Sequence, residues 1–320
     1  MKIAVIIVTY NGLNWYDRCF LSLKKSTVPL DIIVIDNAST DDTIPYIEEN
    51  YPEIYLIRSK INLGFGKANN LGIEYALKNN SEYIFLLNQD AWIFPDTIEK
   101  LLEVGKTHGE YGIVSPIHLT EDERTPEENF LFYLKSIRSK KNNVTIEDII
   151  EGRSPEDIYS IDFVNAALWL ISKECLKKTG GFNPVYFHYG EDDDYVNRVL
   201  YHGYKVGICP GSRAVHAHKK QKRLSVSERK KKKKHYGPWL TSYLRYLTNI
   251  NNSFAYSLGQ SFYLFSRKLV QHIFQLNSLS IYYDFKVAGE AISCIPQIVK
   301  NRNIAKHKEY PFLNLKDTTK

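Results

Sequence analysis

Four consecutive carboxylates, Glu191-Asp192-Asp193-Asp194, follow a glycine in this chain of 320 residues. One or two acids at a helix start are explained by the positive end of the helix dipole. Four crowd like charge, raise the proton affinity of some members, and so furnish a general base. Asp36 closes an apolar run, Asp31–Asp36, where a carboxylate is costly unless it is solvated or hydrogen-bonded. A capping or turn role satisfies such a group; so does an N–H donor such as a pyrimidine N3. Asn62-Leu63-Gly64-Phe65-Gly66 leads into a helical pattern containing Asn69. Glycines let a backbone approach a phosphate or ribose, and a helix N-terminus favours anions. The run is not the dinucleotide-binding G-x-G-x-x-G, because the third glycine is absent and the loop follows a later strand. Asn88-Gln89-Asp90 and Val215-His216-Ala217-His218 add amides, a carboxylate and imidazoles.

Such residues work together only if the fold collects them. Residues 3–8 are almost continuously apolar and β-branched, as a strand buried on both faces should be. Helical periodicity over 14–25 places Trp15, Cys19 and Leu23 on one face. Strands at Asp31–Asp36, 54–58 and Tyr83–Leu87 alternate with helices at 41–50 and 66–79. This spacing predicts a mostly parallel sheet with crossover helices, an α/β fold whose ligands bind outside the carboxyl ends of the strands. The polar ends at Thr9-Tyr10-Asn11, Asp36-Asn37-Ala38-Ser39, Asn62–Gly66 and Asn88-Gln89-Asp90 would then share one crevice. Residues 120–157 read as a polar excursion with one helix, 128–137. The pattern returns to apolar over 161–171, where Asn165 interrupts it, and strands are expected at 204–209 and 214–218. Residues 236–299 are aromatic-rich and helical in period.

A chain that is 43% hydrophobic and 24% charged is neither disordered nor collagen-like. The net charge of +6 is local: ten Lys or Arg and one Glu lie between Lys219 and Lys234, so the rest is net acidic. No base-stacking module accompanies that run, which disfavours nucleic acid; a solvated linker or an anionic membrane surface suits it. The four cysteines form no C-x-x-C pair, which argues against a zinc site or redox dithiol. The N-terminal apolar run is too short for a signal peptide, and no stretch predicts a membrane span.

The five motifs, ending in Gly190-Glu191-Asp192-Asp193-Asp194, resemble those of family 2 glycosyltransferases of the GT-A fold, in the family's order and over residues 1–218. Within that family the chain is similar to bacterial surface-polysaccharide enzymes, including rhamnosyltransferases. The resemblance implies a GT-A domain at 1–218, followed by a basic linker at 219–235 and a helical extension at 236–320. It implies that Asp36 reads the N3–H of uracil or thymine, and that Thr9, Asn11, Asn62, Gly64, Asn69, Asn88 and Asn165 line the nucleotide-sugar site. Asn88 stands where the family has the first Asp of its D-x-D motif, leaving Asp90 the carboxylate available to Mn²⁺ or Mg²⁺, with His216 as second ligand. One carboxylate plus substrate phosphates often suffices for Mg²⁺, and imidazole suits Mn²⁺ better. Asp192 would take the proton of the acceptor hydroxyl, Glu191 would orient the acceptor, Asp194 would support them, and Asp193 falls at a variable position.

The expected activity is inverting transfer from a UDP- or dTDP-linked sugar to a glycan or lipid-linked acceptor, in the cytoplasm or on the inner face of the membrane. Contact there would run from Lys219 to Lys234, and the C-terminal helices would pack as core or as a homodimer interface. A sugar nucleotidyltransferase would need a basic loop after the first strand, which Thr9-Tyr10-Asn11-Gly12 lacks. A non-catalytic glycan-binding scaffold would explain Asn88 but not the intact acidic run.

Overall fold

Strands β1 (Ile3–Thr9), β2 (Asp31–Asp36), β3 (Tyr55–Arg58) and β4 (Tyr83–Leu87) alternate with helices α1 (Tyr16–Lys24), α2 (Thr43–Asn50) and α3 (Phe65–Lys78). The computed structural model describes residues 1–137, 144–153, 155–217 and 237–315, and it runs these four strands parallel. Burial on both faces accounts for the β-branched character of β1. Ala4 and Ile6 enter a core shared with Ala68, Ile73 and Ala76 of α3, while Ile3, Val5 and Ile7 meet Tyr16, Cys19 and Phe20 of α1.

Beyond β4 come β5 (Ala91–Ile93), α4 (Thr97–Thr107), β6 (Tyr111–Leu119), α5 (Glu128–Leu134) and α6 (Ile146–Glu151). These are followed by β7 (Tyr159–Ile161), β8 (Leu168–Ser172), α7 (Lys173–Thr179), α8 (Glu191–Tyr201) and β9 (Lys205–His216). One mixed sheet results, in the order β3-β2-β1-β4-β8-β6-β9-β5, with β7 on β9. Register positions the chemistry. Thr9 is the last partner of Asp36, and Ala91 pairs with His216. The Ala217 N–H donates to the Asp90 carbonyl at 2.9 Å, which fastens the end of β9 beside Asn88-Gln89-Asp90.

The first four strands match the expected spans within about one residue. The segment 91–119, which no periodicity marked, holds β5, α4 and β6. The strands expected at 204–209 and 214–218 are one, β9: residues 210–212 bulge out between Cys209, paired with Pro116, and Arg213, paired with Ile117. The polar excursion carries two short helices, α5 and α6, instead of one.

Helices α9 (Gly237–Thr248), α10 (Phe254–Phe274), α11 (Ser278–Ser293) and α12 (Ile295–His307) enclose a third cluster. Its members include Tyr243, Leu247, Val287 and Ile298, joined by Tyr186 from the loop before α8. Arg302 of α12 closes the α9–α10 turn by donating to the carbonyls of Leu247, Asn249 and Asn252. None of the described helices is long and apolar enough to cross a membrane. His218 and the basic run from Lys219 to Lys234 lie outside the described residues.

Candidate active site

A cleft of about 310 Å³ opens at the carboxyl ends of β1, β2 and β4. Of the predicted residues, Asn62, Gly64, Asn88 and Asp90 line it, and Phe187 and His188 form its far wall. Asn37 builds the loop between: its Oδ1 accepts from Leu63 N–H at 2.7 Å, and its Nδ2 donates to Asn62 Oδ1 at 3.0 Å. Gly64 adopts φ +79°, and a Cβ there would stand 2.0 Å from the Phe187 carbonyl oxygen. Only glycine fits that contact between the loop and the far wall.

The other predicted nucleotide residues, Asp36, Asn11, Thr9, Asn69 and Asn165, are not among the residues that line this cleft. Asp36 is buried, and its carboxylate accepts from Ser39 N–H at 3.2–3.3 Å in a side-chain turn. Asn11 ties that turn to the end of β1, accepting from Thr40 N–H at 2.8 Å. Thr9 is fully buried and bonded to Tyr16 Oη and to Gln89 Oε1. Asn69 donates to the Phe65 carbonyl within α3. Asn165 has a buried Oδ1 with no hydrogen-bond partner among the described residues.

Asp90 and His216 come together. His216 Nε2 lies 3.8 Å from Asp90 Oδ1 and 3.3 Å from Asn88 Nδ2. His216 Nδ1 lies 3.0 Å from Glu127 Oε2, and both residues are buried. A carboxylate on Nδ1 fixes the Nδ1–H tautomer, which leaves the Nε2 lone pair directed at the Asp90 side. His118, also buried, stands 3.7 Å from the same Glu127 oxygen and bonds Ser115 Oγ through Nε2 at 2.9 Å. His118, Glu127 and His216 thus form a compact group of metal-ligand types.

The acidic run opens α8 after Gly190, whose φ is +90°. Its four members are differently placed. Asp194 is buried and paired with Arg198 Nε at 2.9 Å, so it is structural. Asp192 accepts from the Asp193 N–H at 2.9 Å, and withdrawal from water raises its proton affinity. Burial and then the Asp192 charge push Glu191 up to about 7. The same two causes push Asp193 up to about 6, while Arg245 of α9 opposes them from 2.7 Å. Asp193, expected to matter least because it falls at a variable position, pairs with Arg245 and so joins the acidic run to the C-terminal helices. The two halves of the site share an electrostatic neighbour: burial, then Asp192 and Glu127, push the Tyr133 phenol up to about 12. Burial lowers the proton affinity of His188 on the cleft wall, and Asp192 opposes it.

The family model "Glycosyl transferase family 2" matches residues 4–160, and the model "N-terminal domain of galactosyltransferase" continues over 162–221. The chain belongs to glycosyltransferase family 2. Relatives of this glycosyltransferase include a low-salt glycan biosynthesis hexosyltransferase of Haloferax volcanii, 24% identical over 67% of this chain and 66% of its own. A dTDP-rhamnosyl transferase of Shigella flexneri is 27% identical over 68% of this chain and 69% of its own. Among solved structures, S. aureus TarS 1-349 in complex with UDP-GlcNAc superposes with a TM-score of 0.57, at 16% identity, over 95% of this chain and 86% of that one. The glycosyltransferase therefore has the GT-A fold.

The donor set of this family 2 glycosyltransferase fits a divalent cation. Asp90 offers a carboxylate oxygen, and His216 offers a nitrogen whose tautomer Glu127 has set, both ligand types that divalent metals accept. His118, Glu127, Gln89 and Arg245 were absent from the predicted site. Only the pairing of imidazoles with an acid could have marked the first two, and it has no fixed spacing.

Proposed function

We propose that this glycosyltransferase transfers a hexosyl or deoxyhexosyl group, with inversion, from a UDP- or dTDP-linked sugar to a hydroxyl of a glycan or lipid-linked acceptor in surface-polysaccharide synthesis. The relatives named for glycan biosynthesis and rhamnosyl transfer support the class of product, and the neighbour bound to UDP-GlcNAc supports the class of donor. The observation that carries the reading is the pairing of two unlike sites beside one cleft: the Asp90–His216 donors and the proton-retaining acids of α8. We assign residues 1–218 to the catalytic unit, 219–235 to a linker and 236–320 to a helical extension acting at the cytoplasmic face of the membrane.

Asp36 accepts the pyrimidine N3–H, and the loop held by Asn37 receives the ribose and diphosphate. Asp90 and His216 hold Mn²⁺ or Mg²⁺, which when bound supplies positive charge for the departing diphosphate. Asn165, with its open buried Oδ1, accepts from a hydroxyl of the donor sugar. Glu191, whose proton affinity burial and the Asp192 charge raise, orients the acceptor. Asp192 removes the acceptor proton as the acceptor oxygen attacks the anomeric carbon opposite the diphosphate. The new C–O bond forms as the bond to diphosphate breaks, so the anomeric configuration inverts. Proton removal by a positioned base of this kind is worth on the order of 10²–10⁴-fold in rate. Asp192→Asn should lose turnover on that scale while donor affinity, read by thermal shift with UDP-, dTDP- and GDP-sugars, stays unchanged. Normal turnover in that variant, or stabilisation by GDP-sugars alone, overturns the assignment.

A further inference from the structure

The C-terminal helices bury one side and leave the other apolar. The inner side of the α10–α11 hairpin is closed by His272 Nδ1 to buried Asp284 Oδ2 at 2.6 Å, with Trp239 stacked on His272. On the outer side, Tyr256, Tyr263 and Val270 recur every seven residues along α10 and Phe274 extends the stripe. Leu279 and Tyr282 continue it on α11. The turn between presents Phe274 at 84% and Leu276 at 91% exposure. Leu276 also sits at φ +48°, where Gly or Asn would be the unstrained choice. Nothing in the packing of the hairpin asks for leucine at that position.

The charge around the turn end of this face is positive. From Gly237 to Tyr283 the chain has no Asp or Glu, and the next acid, Asp284, is buried against His272. Arg267 and Lys286 stand exposed on the same stripes. Apolar and tyrosine side chains with the cations Arg267 and Lys286 among them, and the single carboxylate Glu290 at the end of α11 away from the turn, are what an anionic lipid surface accepts. A second copy of the same face would bring like charges together, which disfavours self-pairing.

We infer that the outer face of the α10–α11 hairpin is a docking surface for an anionic bilayer, with Phe274, Leu276 and Leu279 entering the acyl boundary and the tyrosines at headgroup level. The hairpin lies on the membrane and does not cross it, in keeping with the length and hydropathy of the described helices. The basic run that precedes α9 in the sequence adds attraction of the same sign. This inference rests on the proposed placement of the C-terminal helices at the membrane and is independent of the catalytic assignments, since none of its residues belongs to the cleft.

The full-length protein should co-sediment with phosphatidylcholine vesicles containing phosphatidylglycerol, and markedly less with phosphatidylcholine alone. Burying a Phe or Leu is worth enough that Phe274→Glu and Leu276→Gly should each weaken binding about tenfold or more. Leu276→Gly also relieves the left-handed backbone, so its melting temperature should hold or rise while its membrane affinity falls. Failure of the wild type to bind vesicles, indifference to lipid charge, or wild-type binding by both variants overturns the inference. So does a dimer in light scattering that Phe274→Glu dissociates, because the face would then belong to a second copy.

Discussion

Replacing Glu191 by Gln should stabilise the protein at mildly alkaline pH and not at acid pH. Glu191 is 5% exposed and its Oε2 has no hydrogen-bond partner among the described residues, so its charge is poorly solvated in the folded state. Burial, and then the neighbouring Asp192 charge, lift it from 4.5 to about 7. At about 1.4 kcal/mol per factor of ten, that displacement corresponds to about 3–4 kcal/mol of instability once the group is ionised in both states. The sign follows from proton counting. Between the unfolded and folded values the folded protein holds the extra proton, so stability falls as pH rises through that window. Below about pH 4.5 the group is neutral in both states and the penalty vanishes. Urea unfolding of wild type and Glu191→Gln across this range should show their difference growing by about 3–4 kcal/mol in favour of the variant as pH rises. Any loss of hydrogen bonding by the new amide shifts that difference by a constant, which leaves its slope intact. A pH-independent difference, or one that grows in favour of the wild type, would refute the account of Glu191 as a destabilised acid.

Glu127→Gln should weaken Mn²⁺ binding about 10–100-fold, because the amide no longer fixes the His216 tautomer; isothermal titration calorimetry on the variant reads this directly, and unchanged affinity contradicts it. Gly64→Ala should lower stability by about 1–3 kcal/mol through its positive φ and the approach of Phe187, so an unaltered urea midpoint would count against the loop geometry. Arg245→Met removes the cation that opposes the raised proton affinity of the α8 acids. The acid limb of kcat/KM should therefore move to higher pH, and a shift the other way would show that Arg245 acts otherwise.

The strand-end motifs were legible in the sequence because parallel strands deliver their carboxyl ends to one edge, whatever the details of packing. Asn62, Gly64, Asn88 and Asp90 needed only that rule to be placed on the cleft. Thr9 shows its limit. Along β1 the odd positions Ile3, Val5 and Ile7 face α1, so Thr9 continues that face and meets Tyr16. Period-two alternation contains this information, but the motif directs attention to residue type. His118 and Glu127 were not legible for a different reason. Glu127 reaches His216 across 89 positions, through the parallel pairing of β6 with β9, and no local pattern encodes that distance.

The polar excursion and the C-terminal helices have a common role at the site. Each supplies one charged side chain to the site: Glu127, from the excursion, holds the imidazole of His216 at the end of β9, and Arg245, from α9, holds Asp193 beside Asp192 in the first turn of α8. Both contacts act on a proton, one by choosing a tautomer and the other by restraining the basicity of neighbouring carboxylates. Asn301 of α12 bonds Asn183 at 2.7 Å, and Asn183 in turn donates to Asp194 at 3.2 Å, so the C-terminal helices hold α8 from a second side. A truncation before α9 would expose Tyr186 and leave Asp193 without Arg245. Its effect on catalysis would therefore come through the protonation of α8 as well as through lost packing, and Arg245→Met isolates the first of these from the second.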